Sequence, residues 1–265
     1  MNFRFIPLMA LGLLSLSAQA ASVKYDDFNV NTGLDRIKWN ESEAARFVDN
    51  NKLTLGRFLY GNTASDTGLT MESWNTTIPI AAPIKGLRAD VTVDNIWQSE
   101  SCAANPAVGQ SSARLIGSFF NIRPGGPVPG DRTGDVLAQI RARRTSNSVD
   151  APGVMQVQGV LSQCTNADCS ASAALPGASA LVVQLGTVTP GTPMRLQFSW
   201  DKKANTFTYV RDGNITAQIT YTENDGTAPA ALFANMSMRN EIQNCTTQRI
   251  KGGISGEFDN AYIIQ

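Results

Sequence analysis

The segment Leu196-Gln197-Phe198-Ser199-Trp200-Asp201-Lys202-Lys203-Ala204-Asn205-Thr206-Phe207-Thr208-Tyr209-Val210-Arg211-Asp212-Gly213 alternates apolar and polar side chains twice. Leu196, Phe198 and Trp200 interleave with Gln197 and Ser199, and Phe207 and Tyr209 with Thr206 and Thr208. A period of two in aromatic and branched residues is the mark of half-buried strands. Asp201 to Asn205 is a polar turn between them, and Asp212-Gly213 supplies a second turn beyond. The segment therefore predicts an antiparallel ribbon with one apolar and one wet face.

The same patterning extends outward. Candidate strands are Lys52–Arg57, Leu69–Thr77, Leu87–Trp97, Arg114–Ile122, Val136–Arg143, Val154–Gln163, Leu181–Leu185, Ile215–Tyr221, Phe233–Glu241 and Gly256–Ile264, with shorter ones at Ile37–Trp39 and Arg46–Val48. No stretch has the apolar spacing of an amphipathic helix of ten residues. About a dozen strands parted by Gly, Pro, Asn and Asp turns predict an all-β chain, a sandwich of two antiparallel sheets. Residues 123–134, rich in Pro and Gly, read as a loop protruding between strands, and 170–180 as a second flexible loop.

The first twenty residues differ in kind. Arg4 precedes an apolar run from Phe5 to Leu16, and Ala18-Gln19-Ala20 forms an A-x-A site. This is the pattern of a secretory signal peptide, residues 1–20, with a single domain over residues 21–265 and export to the periplasm or the extracellular space. The apolar run is too short for a comfortable membrane span. Without Arg4, 21 basic residues face 22 acidic ones, a net charge of −1. A near-neutral chain has no general field with which to hold nucleic acid or an anionic membrane.

Four cysteines in an exported chain predict two disulfides. Three pairings are available. Cys164 and Cys169 bracket the turn-like Thr-Asn-Ala-Asp and are expected to bridge locally, leaving Cys102 with Cys245. Histidine is absent, which removes serine and cysteine triads, histidine general bases and the usual zinc sites.

Several segments follow an order found elsewhere: Asp26-Asp27-Phe28, Trp39 with Arg46-Phe47-Val48, Leu53-Thr54-Leu55, the Trp200…Gly213 ribbon, and the closing Phe258-Asp259-Asn260-Ala261-Tyr262-Ile263. Over roughly residues 25–265 the chain resembles the concanavalin A-like lectin and glucanase superfamily of jelly rolls. The resemblance implies that the first and last strands lie side by side, with Asp26–Val30 near Glu257–Ile263, and that a concave sheet holds glycan. It also implies a structural Ca²⁺ beside the termini, for which Asp26, Asp27 and Asp259 are the candidate ligands.

The glycoside hydrolases of that superfamily carry Glu-x-Asp-x-x-Glu or a form one residue shorter, because retaining hydrolysis needs two carboxylates about 5–5.5 Å apart. Glu257-Phe258-Asp259 has no following Glu, and Glu41-Ser42-Glu43 has the wrong middle residue. Catalysis would require an unfamiliar acid pair, drawing on Glu72 or Glu241. Binding is the better reading. Gln139, Arg141 and Arg143 share one face of their strand, Gln156 and Gln158 one face of theirs, and Arg239 with Glu241 one face of a third. If those strands are neighbours they form a polar floor suited to polysaccharide or cell-surface glycan, acidic sugars above all, with Trp97 near its rim. The alternatives are an adhesive module that binds a cell-surface protein, and an ordinary solvated sheet face.

Overall fold

The structure, a computed structural model, describes residues 22–27, 29, 40–41, 46–98 and 101–265. The signal-peptide segment and the strand expected at Ile37–Trp39 lie outside them. Among the described residues sixteen strands follow in chain order: β1 (Ser22–Asp26), β2 (Asn40–Glu41), β3 (Arg46–Asp49), β4 (Lys52–Tyr60), β5 (Leu69–Ile78), β6 (Gly86–Gln98), β7 (Gln110–Asn121) and β8 (Asp135–Thr145). The second half holds β9 (Met155–Cys164), β10 (Ser172–Ala174), β11 (Val182–Val188), β12 (Pro193–Asp201), β13 (Thr206–Arg211), β14 (Ile215–Thr220), β15 (Ala234–Gln243) and β16 (Lys251–Ile264).

They form two eight-stranded sheets, paired antiparallel throughout. One runs β14-β13-β12-β6-β16-β4-β3, with β1 also on β16; the other runs β10-β9-β8-β7-β15-β5-β2, with β11 also on β9. This is the expected two-sheet sandwich, a jelly roll. The β12–β13 ribbon pairs Leu196 with Arg211, Phe198 with Tyr209 and Asp201 with Thr206. Its first turn is closed by the Asp201 carboxylate, which accepts from the amides of Lys203 and Ala204 at 3.0 and 3.2 Å. In the second turn Asp212 and Gly213 have φ of 54° and 77°, the left-handed pair that a tight hairpin into β14 demands.

The apolar faces meet in one core. Leu53, Leu55, Val91, Leu196, Phe198, Phe207, Tyr209 and Phe258 come from the first sheet, and Leu115, Ile140, Val157, Leu161, Met236 and Met238 from the second. At one end Trp200, half-buried, stacks on Phe120 and Phe207 and donates its indole N–H to the Tyr221 hydroxyl at 2.7 Å. Trp74 is buried as core, 1% exposed.

Three details differ from expectation. The described terminal pairing joins Ser22–Asp26 to Ala261–Ile264, so the first strand begins earlier than the expected Asp26–Val30, of which Phe28 and Val30 lie outside the described residues, and Asp26 meets Ala261 within Glu257–Ile263. The last strand starts five residues earlier, at Lys251, because Gly252 and Gly253 pack flat between β4 and β6 where no apolar alternation marks them. Within the loop predicted at 170–180, Ser172–Ala174 pairs with Ser162–Cys164, since the local disulfide folds the chain back onto β9. Both disulfides are those expected, Cys102–Cys245 and Cys164–Cys169.

Candidate functional site

β8 and β9 are neighbours, and β7 and β15 extend the same sheet. The registers place side chains in rows across its outer face. One row reads Gln158, Arg141, Arg114, Ser237 and Asn75 from β9 to β5. The next reads Gln156, Arg143, Ser112, Arg239 and Ser73. The structure thus gathers Arg141, Arg143, Gln156, Gln158 and Arg239 on one surface, as strand alternation predicts. It adds Arg114, which the sequence reading passed over. Arg114 sits within the predicted strand Arg114–Ile122, and the signal for its role was the polar–apolar alternation reaching back through Ser112.

These arginines are not freely solvated. Arg114 is 8% exposed, its Nε donating to Ser237 Oγ at 2.7 Å and its Nη2 to Ser73 Oγ at 3.4 Å. Arg141, Arg143 and Arg239 are half-buried. Arg141 Nη2 donates to Gln158 Oε1 at 3.3 Å, and Gln158 in turn donates to Gln156 and to Gln184 of β11. Arg143 Nη1 donates to Gln110 Oε1 at 3.1 Å, and Gln110 Nε2 donates to Glu241 Oε2 at 2.7 Å. Glu241 also forms an ion pair with Arg239. Four guanidinium groups therefore share this surface with the Glu241 carboxylate.

The electrostatic consequence is a strained set of like charges. Burial, helped by Arg239 and Arg141, pushes Arg114 down to about 9. Burial and the adjacent Arg143 push Arg141 down to about 9 as well. Arg143 is also lowered, by burial against the pull of Glu241. Charged groups withdrawn from water and crowded by their own kind favour an anion beside them.

Toward the other end of these strands the outer face turns apolar. Ile116, Leu137 and Cys164 are covered by Cys169 and Phe233, and Arg132 lies over the Phe233 ring at 4.5 Å. Between the two zones is a cavity of about 170 Å³, floored by Arg114, Gln139 and Asn235 and walled by Arg132, Ser170 and Phe233. Its wall is stiff. The Cys164–Cys169 bridge ties the loop, Arg132 N donates to Ala167 O at 2.9 Å, and Gly134 N donates to Cys164 O at 2.9 Å.

Other expected site residues fall elsewhere. Trp97 belongs to β6 of the opposite sheet, half-buried opposite Gly253, so it does not border the arginine face. Its sheet is set by long-range pairing that local sequence does not carry. Glu72 and Glu241 occupy opposite faces of their sheet: Glu241 shares the Arg239 side, whereas Glu72 is cross-strand to Asn240. The two therefore do not pair with each other.

Asp26 is paired with Ala261, Asp27 is bound to Lys24 Nζ at 3.0 Å, and Asp259 lies near Asp90, with burial raising its pKa. Among the described residues no three carboxylates converge within ligand reach. Among the described residues the cluster of potential ligand atoms within such reach is Asp66 with Cys102 and Cys245, and its sulfurs are in a disulfide. The described side chains at the paired termini therefore do not by themselves make a Ca²⁺ cage, which needs six to eight oxygens.

No protein-family profile matches the chain, and no curated protein matches it. Solved structures do. The alginate lyase Aly36B is 15% identical, covering 94% of this chain and 98% of its own, with a TM-score of 0.49. A κ-carrageenase from Pseudoalteromonas carrageenovora, in complex with an oligotetrasaccharide of κ-carrageenan, is 10% identical over 94% and 99%, TM-score 0.42. The winged bean acidic lectin, complexed with methyl-α-D-galactose, is 12% identical over 93% and 100%, TM-score 0.39.

Proposed function

We propose that this protein is an exported, non-catalytic module that binds an anionic polysaccharide across the outer face of the β9-β8-β7-β15-β5 sheet. The observation that carries this is the grouping of Arg114, Arg141, Arg143 and Arg239 in two adjacent rows, withdrawn from water and matched there by Glu241. A guanidinium fork donates two parallel hydrogen bonds to a carboxylate or sulfate, and burial strengthens each. The glutamines around them supply both donors and acceptors for sugar hydroxyls. The rows named above carry no aromatic ring, so charge and hydrogen bonding do the recognition that stacking performs for neutral sugars. Two disulfides suit the oxidising compartment to which the leader pattern points.

The test compares binding of the exported protein to carboxylated and sulfated polymers and to neutral dextran. Wild type should hold the anionic polymers and not dextran. The double change Arg141→Ala with Arg143→Ala should weaken anionic binding tenfold or more. Its melting temperature should be unchanged or raised, because the change relieves repulsion between half-buried like charges. Equal retention of dextran, or unchanged anionic binding by the double variant, overturns the reading.

A further inference from the structure

The cavity beside Arg114 says more about the ligand than the arginines alone. Resting on the binding function above, we infer that it is a subsite for one uronic-acid unit, with the sugar carboxylate on the arginine side and its hydroxyls donating to Asn235 and Gln139. Three observations place these demands together. First, two of the three nitrogens of Arg114 are held by serine hydroxyls, which fixes the guanidinium at the cavity floor and leaves one nitrogen for a ligand. Second, Asn235 is 8% exposed and its Oδ1 is buried without a donor; the Gln139 Oε1 is buried without a donor too. Both side chains line the cavity, one strand-row away from Arg114. Third, the disulfide-tied loop and Phe233 limit the space to about 170 Å³.

The chemistry of those groups is divided. Amide oxygens repel an anion and want O–H donors, and a buried acceptor left unmet is unfavourable. Guanidinium groups want the anion. A ligand that satisfies both within one small unit must carry a charge and free hydroxyls on the same ring. A uronic acid does so, with a carboxylate for the remaining Arg114 nitrogen and for the Arg132 and Arg239 guanidinium groups that share the lining, and ring hydroxyls beside it. A heavily sulfated sugar offers the charge but has spent its hydroxyls as esters, so it satisfies the arginines and leaves the amides unmet. The site thus discriminates by pairing, because a group built to accept a hydroxyl penalises a ligand that lacks one.

Short oligogalacturonates and dextran sulfate are the probes, and binding is measured by calorimetry beside a melting curve. Wild type should bind the oligogalacturonate more tightly per charge than dextran sulfate. The double change Asn235→Ala with Gln139→Met should lower oligogalacturonate affinity tenfold or more, leave dextran sulfate affinity within twofold, and keep the melting midpoint, since no intramolecular partner of either amide oxygen is lost. Asn235→Asp, nearly the same shape, should lower oligogalacturonate affinity as well by setting a negative charge against the carboxylate. Dextran sulfate bound as tightly per charge as oligogalacturonate, or folded variants with unchanged oligogalacturonate affinity, overturns the subsite and leaves the anionic-binding function standing. Failure of wild type to hold either polymer overturns both.

Discussion

Glu241 is the residue on which the behaviour of the arginine face turns. It pairs with Arg239 and, through Gln110, steadies Arg143, so it stands where a ligand carboxylate would otherwise be welcome. Glu241→Gln keeps the shape and removes the charge. Binding of a polyuronate at low salt should tighten by about threefold to tenfold, while the unliganded fold loses about 1 kcal/mol or more as Arg239 is left without its counter-ion. Titration calorimetry and a melting curve test the two halves; weaker binding would mean that Glu241 positions the arginines for the ligand.

The pH response follows from the same groups. Arg114 and Arg141 sit at about 9, below the value of a guanidinium in the unfolded chain, so the folded state disfavours their charge. For a base lowered in this way, the unfolded chain holds more protons in the pH window that opens at about 9. The contribution of these two groups to stability is therefore least favourable below about pH 9 and improves as pH rises through that window. Anion binding runs the other way, because only the charged form binds: affinity should fall from pH 8 to 10. Binding near pH 9 should also take up protons, seen as a heat that changes with the ionisation enthalpy of the buffer. Strand alternation made Arg141, Arg143, Gln156, Gln158 and Arg239 legible as one face. The crowding that perturbs them was not legible, since it depends on which strands are neighbours.

At the scale of elements, one direct tie between the two sheets lies where β9 meets β13. Gly159 lies under the Tyr209 ring, and a Cβ there would come within 2.3 Å of the ring carbon Cγ. The Tyr209 hydroxyl donates to Val160 O at 2.8 Å, binding the first sheet to the backbone of the second. Gly159→Ala must push the ring or spread the sheets, and a loss of about 1–3 kcal/mol is expected. A thermal midpoint within a degree of wild type would show that the sheets slide freely there. The ribbon and most strand limits were readable because side-chain period two is a local property. The alternation placed Tyr209 on the apolar face, yet nothing local marked Gly159 as its partner. The pairing of Cys102 with Cys245 was readable by elimination once the Cys164–Cys169 turn was seen. The 143-residue span between them makes closure worth up to about 5 kcal/mol by loop entropy.

For the whole molecule, a balance of 22 basic and 22 acidic residues conceals an uneven distribution. The outer face of one sheet gathers four arginines and Glu241. On the other sheet an open cavity of about 440 Å³ is lined by Asp90, Asp212, Glu257 and Asp259, against Lys52 and Arg195. Composition gives the balance and cannot give these local clusters, because they arise from how β-alternation and strand order bring side chains together. Such a patch acts at short range whatever the net charge, and on a sulfonate resin the arginine side is the one expected to meet the beads. At pH 7.5, above its sequence pI of about 6.3, the protein should still be retained by such a column and leave at moderate salt, out of order with its net charge. Elution should move earlier for Arg141→Ala with Arg143→Ala and later for Glu241→Gln, so purification itself reports which way the molecule faces.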